Sequence, residues 1–225
     1  MNFGDSQVEV AVLGFIRRFR LTTRALIPLA IEHPVREVEQ AIASLIRKGL
    51  IRRHSPEDGV ELLLYCQGSK RRRAPSNRNQ ITSLATIHFC HFLNAQRELL
   101  TPEEFKSHFP ELHKPQHDRR YFLDRECSPV RLGFLRIDHG GDGRWNRIID
   151  KARRDFDKHR RDPAFADLIS NQWFEVHIVT GTKRKAIRIE QTVRQTRRRS
   201  DEAIRVTAIP ELLPFILNHG NFSRL

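Results

Sequence analysis

The stretch LTTRALIPLAIEHPVREVEQAIASLIRKGL, residues 21–50, decides how the first part of this chain folds. Val38, Ile42 and Leu45 recur at helical spacing with Ala41 beside them, so the segment that follows Pro34 reads as an amphipathic helix. Pro34 suits its first turn, where a missing N–H leaves no hydrogen bond unmade, and Gly49 ends it by accepting a left-handed backbone. Upstream, Thr22 or Thr23 is expected to cap a shorter helix through Ile31. Its Leu26, Leu29 and Ile31 should face inward, and Glu32-His33-Pro34 should form the turn between the two helices.

Working outward, Leu50 to His54 and Val60 to Tyr65 read as strands flanking Ser-Pro-Glu-Asp-Gly, a turn in which Pro56 presets φ and Gly59 accepts a positive one. On the other side, Val8, Val10, Ala11, Leu13, Gly14, Phe15 and Phe19 give an apolar face to a first helix. Ser6 is expected to cap that helix, and Arg17, Arg18 and Arg20 gather in its last turn. Helix, short helix, turn, helix and hairpin are the layout of a winged helix-turn-helix, so residues 1–67 are expected to form a domain that binds DNA. The third helix then occupies the recognition position. Its outward side carries Arg36, Gln40 and Ser44, expected to face bases, and Arg47 and Lys48, expected to meet phosphates. Arg52 and Arg53 on the hairpin would add phosphate contacts, whereas Glu57 and Asp58 at its tip would be repelled. The acidic tip moves the expected contact from the wing to the third helix.

Bulk composition agrees with a polyanionic partner. The 225 residues carry a formal net charge of +13, and such an excess binds phosphates by releasing condensed counterions. A hydrophobic content of 39% is enough for a folded core. The sequence has neither an apolar run of membrane-spanning length nor a charged-then-apolar leader pattern, so no membrane role and a cytoplasmic location are expected. Cys66, Cys90 and Cys127 lie far apart without C-x-x-C spacing, which suggests free thiols. Residues 68–80 read as a basic linker, and its run Lys70, Arg71, Arg72 and Arg73 is a further candidate for phosphate contact.

Residues 81–225 read as an α/β domain. A helix is expected from Ile81 to Gln96 and a short one after Thr101; strands at Tyr121 to Leu123 and Val130 to Asp138 precede a long helix from Arg144 to Arg160. A strand at Trp173 to Thr180, a helix from Thr182 to Arg198, a strand at Ala203 to Ile209 and a last helix to Leu217 complete it. FLRIDHGG before the long helix and FEVHIVTGT before a Lys/Arg-rich helix, together with the N-terminal module, resemble the replication-relaxation family of plasmid and mobile-element proteins. That resemblance implies DNA binding linked to replication control or mobilisation. It also implies a three-layer-like second domain, with a small mixed sheet resembling a restriction-endonuclease core. The family tends to read Glu-x-Asp where this chain has Arg136-Ile137-Asp138, one acid being replaced by a cation.

Hydrolysis of a phosphodiester with metal needs converging carboxylates and commonly a lysine. Asp124, Glu126, Asp138, Asp142 and Lys151 are the groups available, without an acidic-x-Lys spacing on a strand. His88, His91, His113 and His117 could be imagined as a zinc set, but Pro115 interrupts the second pair, and a core-facing helix and a polar loop explain them without metal. The expectation is therefore a protein with no enzyme activity, no metal and no cofactor. It would be a sequence-specific regulator that binds duplex DNA as a homodimer, with a C-terminal domain for dimerisation or a protein partner. A metal-dependent nuclease or relaxosome accessory protein is the alternative.

Overall fold

The computed structural model describes residues 3–55, 60–66, 75–93, 96–114, 120–140, 145–196 and 199–217. The chain is a mixed α/β protein with two compact units, Met1–Ile87 and His88–Leu225. One unit holds a three-stranded sheet and the other a five-stranded one.

In the first unit the order is α1 (Phe3–Phe19), β1 (Leu21–Thr23), α2 (Leu26–Ala30), α3 (Val35–Arg47), β2 (Ile51–His54), β3 (Leu62–Tyr65) and α4 (Asn77–Ile87). Helix α1 begins ahead of Ser6, so that serine is not its cap. Its buried stripe is Val8, Val12, Phe15, Ile16 and Phe19, while Val10, expected inside, is 68% exposed. Arg20 then takes a left-handed φ of 71°, which turns the chain out of the helix into β1.

Thr22 and Thr23 are strand residues rather than helix caps: they pair antiparallel with Leu63 and Leu62 of β3. Threonine suits both roles, and here the ladder partner decides. Helix α2 follows Ala25, which makes no side-chain cap. It buries Ile27 rather than Leu29, which is 71% exposed. β3 lies between β1 and β2, with Ile51 opposite Tyr65 and His54 opposite Leu62. The hairpin turn, residues 56–59, with Glu57 and Asp58, lies outside the described residues.

The second unit runs from a π-helical turn, His88–Phe92, through β4 (Arg97–Leu99), α5 (Pro102–His108), β5 (Tyr121–Asp124), β6 (Arg131–Ile137), α6 (Trp145–Arg160) and α7 (Ala166–Ser170). It continues with β7 (Phe174–Thr180), α8 (Lys183–Thr196), β8 (Ile204–Ala208) and α9 (Leu213–Leu217). The helix expected over Ile81 to Gln96 is thus α4 followed by the π-helical turn. The short strand β4 was not expected; pairing with Leu123 and its neighbours on β5 creates it. The sheet order is β4-β5-β6-β7-β8, antiparallel as far as β6 and parallel from β6 to β8.

Side chains alternate across a sheet, so its two faces differ. Leu132, Phe134, Phe174, Val176, Ile178 and Ile204 pack with Ile149, Ala152 and Phe156 of α6 and Ile189 and Val193 of α8. Each side chain buried in this way contributes about 1.5–3 kcal/mol relative to exposure. Polar groups within this layer are bonded. The Tyr121 hydroxyl donates to His159 Nε2 at 2.7 Å, since His159 Nδ1–H is used by the Asp155 carbonyl at 2.6 Å. Arg153 meets Asp201 with a two-pronged contact at 2.8 and 2.9 Å. The opposite face carries Phe122, Gly133, Glu175 and His177, with the Phe89 ring 4.5 Å from the His177 imidazole.

Candidate nucleic-acid interface

Helix α3 is held at both ends by its backbone. The Pro34 carbonyl accepts from Glu37 N–H at 3.0 Å and Val38 N–H at 3.1 Å. At the other end, Leu50 N–H reaches the Leu45 carbonyl at 3.0 Å and Gly49 N–H the Ile46 carbonyl at 2.9 Å. With Gly49 at φ 69°, these bonds form a Schellman stop, the left-handed glycine that the sequence calls for. Val38, Ala41, Ile42 and Leu45 bury the inner stripe.

That burial fixes which side chains point out. Arg36, Gln40, Ala43 and Arg47 are all exposed and follow one another at i, i+4, i+7 and i+11, so they share one line along the helix. Arg36 and Gln40 make no hydrogen bond or ion pair among the described residues. Ser44, expected beside them, lies one step round the helix, and its hydroxyl donates to Glu9 of α1. Lys48 forms an ion pair with the same carboxylate. Glu9 is held below the usual carboxylate range by the bond from Lys48 first and by Ser44 second.

A second acidic group stands on the other flank of α3. Arg24 grips Glu39 with Nε at 2.9 Å from Oε1 and 2.6 Å from Oε2, and this contact lowers the pKa of the Glu39 carboxyl. Glu61 Oε1 is buried without a hydrogen bond and lies 3.6 Å from Arg53 Nε and 4.0 Å from an Arg24 nitrogen. Arg53 is exposed on β2 but partly neutralised by that carboxylate, whereas Arg52 is half-buried. Lys70, Arg71, Arg72 and Arg73 lie outside the described residues.

Sequence periodicity alone places Arg36, Gln40 and Arg47 on one face, and the same period reaches Ala43. Nothing in the sequence links Glu9 to Lys48 or Arg24 to Glu39. Those contacts join residues on different elements, and they separate the outward cations that are already paired from those that are not.

Of the carboxylates considered for metal chemistry, Asp124 and Glu126 line one cleft, and Asp138 stands apart from them. Asp124 closes β5 and accepts from Arg97 Nε at 2.9 Å. Asp138 lies just past the end of β6, with Lys185 Nζ 2.6 Å from Oδ2 and the Thr180 hydroxyl 3.4 Å away. Asp124 is paired with Arg131 at the start of β6, so the length of that strand, about 20 Å at strand rise, separates the two carboxylates. Arg136 is tied to Asp155 of α6 through Nε at 2.7 Å. Asp142 lies outside the described residues. Among the described residues no three His, Cys, Asp or Glu side chains are grouped as for a metal ion. Of the imagined zinc set, His117 lies outside the described residues, and His88 and His91 stand in the π-helical turn.

A cleft of about 540 Å³ in the second unit is lined in part by Arg97, Asp124, Arg131, Glu175 and His177. His177 is among its buried polar groups; its Nε2 lies 2.7 Å from the Thr207 hydroxyl and its Nδ1 3.2 Å from Glu175 Oε1. Burial pushes this imidazole below its usual pKa, with the Glu175 bond opposing. The neutral ring therefore donates from Nδ1 to Glu175 and accepts the Thr207 proton at Nε2.

His177 takes up a proton less readily in the folded unit than in the unfolded chain, where a histidine protonates near its ordinary value of about 6.5, so acidification favours unfolding. Stability should be fully present above that value and decline as pH falls below it. His177→Asn is expected to be less stable at neutral pH yet to lose less between about pH 7 and 5, as read by melting temperature.

Among the described residues no helix is long and apolar enough to cross a membrane. No family model, curated protein or solved structure matches the chain.

Proposed function

We propose that this chain is a sequence-specific regulator that binds duplex DNA through α3. In this reading the first unit is a winged helix-turn-helix, an assignment supported by the order α1-β1-α2-α3-β2-β3 and the sheet order β1-β3-β2. The observation that carries it is the outward line of α3. There, the Arg36 guanidinium and the Gln40 amide have no hydrogen bond or ion pair among the described residues, whereas Ser44 and Lys48 are engaged with Glu9, on a protein with a net charge of +13.

Arg36 suits the O6/N7 edge of guanine and Gln40 the N6/N7 edge of adenine, because each presents paired groups to a paired edge. The Ala43 methyl suits the thymine methyl, and Arg47 a phosphate. Two copies of the chain would take two half-sites. The second unit is read as a restriction-endonuclease-like scaffold for dimerisation or a protein partner, with no group of three His, Cys, Asp or Glu side chains placed for a metal among the described residues. The resemblance to replication-relaxation proteins gives such a regulator a plasmid or mobile element as its setting.

Selection from a randomised duplex library, followed by anisotropy on the selected site, tests the reading. Gln40→Ala is expected to lower affinity for that site about tenfold or more and to relax preference at one base pair, with binding to random duplex unchanged. Equal losses on selected and random duplex would remove Gln40 from base reading.

A further inference from the structure

Helix α6 carries a second cationic surface, one that the reading of α3 does not use. Arg147, Arg154, Lys158 and, just past the helix end, Arg161 are exposed, and with the half-buried Lys151 they follow i, i+4, i+7, i+11 and i+14 spacing. The buried residues Ile148, Ile149, Ala152 and Phe156 fix the opposite stripe against the sheet, so this line points outward over about 21 Å at helical rise. Arg147, Arg154, Lys158 and Arg161 have no side-chain hydrogen bond or ion pair among the described residues.

The acids of α6 are turned to other cations. Asp150 lies 3.8 Å from Arg153, Asp157 3.3 Å from Arg160, and Asp155 is bonded to Arg136. Like charges at i+3 and i+4 repel and destabilise an isolated helix, so a solvated face gains nothing from this arrangement. An anionic rod laid along the helix relieves the repulsion. No large apolar residue of α6 is exposed among the described residues, whereas a helix lying on a membrane needs an apolar face for the lipid.

We infer that the outward line of α6 is a separate binding surface for the phosphate backbone of duplex DNA, which it holds without reading sequence. Its length matches about six base pairs at 3.4 Å each, and four unpartnered cations spread along it give charge complementarity to the backbone. The surface belongs wholly to the second unit and stands whether or not α3 reads bases.

The test uses the full chain and a 40-bp duplex of random sequence (about four helical turns), titrated at several salt concentrations. The Arg147→Ala, Arg154→Ala, Lys158→Ala, Arg161→Ala variant should lower the slope of log K against log salt by about three to four. A control set with the same charge change, Lys106→Ala, Lys114→Ala, Arg125→Ala, Arg194→Ala, should lower it by less than about one. Independently of any variant, Lys158 of the unmodified protein should be protected from acetylation when the duplex is present, and Lys106 should not. An unchanged slope, an equal fall in the control set, an unprotected Lys158, or a loss confined to anionic phosphatidylserine vesicles would each overturn the inference. A failed α3 reading shows instead as the absence of sequence preference, which this slope does not measure.

Discussion

Lys185→Met is expected to destabilise the C-terminal unit by about 3–5 kcal/mol, the range seen when one partner of a buried ion pair is removed. Lys185 is 2% exposed, and its ammonium is 2.6 Å from Asp138, itself 8% exposed. The pair ties the end of β6 to the first turn of α8, whose N-terminus Thr182 caps by accepting from Lys185 N–H at 3.2 Å. Methionine keeps most of the apolar stem and removes the charge, so the cost falls on a carboxylate left with the Thr180 hydroxyl and the Gly140 N–H, each at 3.4 Å.

The readout is selective. Both tryptophans of the chain, Trp145 and Trp173, lie in the second unit, so urea denaturation followed by tryptophan fluorescence reports that unit. Replacing both partners, Lys185→Met with Asp138→Leu, should recover most of the loss, because well-packed apolar groups substitute for a buried pair at little cost. A single-variant loss below about 1 kcal/mol would mean that Asp138 reaches water and that the pair is not a buried one.

The contrast between α6 and β1 shows what the sequence could disclose. Helix α6 is written in its own period: Ile148, Ile149, Ala152 and Phe156 recur within one segment, and the helix starts and ends within a residue of expectation. β1 is three residues long and exists because Leu62 to Leu64, some forty positions later, offer it a ladder. Local pattern cannot see that partner, which is why the sequence alone suggests a cap at Thr22 or Thr23. The same limit governs α2, where only the packing reveals that Ile27 is inside and Leu29 outside.

At the candidate interface the helical period places Arg36, Gln40 and Arg47. Which of the outward groups remain unengaged depends on Glu9, Glu39 and Glu61, all delivered from elsewhere by the fold. The cationic line of α6 was legible as residues but not as a surface. Its meaning required knowing which carboxylates turn to Arg136, Arg153 and Arg160.

Gly133→Ala should cost about 3 kcal/mol or more through overpacking of a closed core. Gly133 lies mid-strand on β6, in register between Phe122 of β5 and Glu175 of β7. A Cβ there would fall 2.0, 2.2 and 2.6 Å from three atoms of the Phe122 ring, well inside any real contact. The ring has nowhere to go: Phe122 is fully buried, with Phe89 edge-on at 4.9 Å and the His177 ring at 6.1 Å. A glycine in a central strand is ordinarily a weakness, since it leaves a gap and extra chain entropy. Here the cross-strand phenylalanine lies over the gap, the arrangement by which an aromatic ring rescues a strand glycine.

The pair should therefore be coupled. Phe122→Leu alone loses packing, yet in combination with Gly133→Ala it should be more stable than Gly133→Ala alone, because the smaller side chain vacates the space that the methyl needs. Tryptophan-monitored denaturation of the single and double variants measures that coupling. Simple additivity of the two losses would show that the clash is relieved by backbone movement, and would make the glycine a matter of strand geometry instead of close approach.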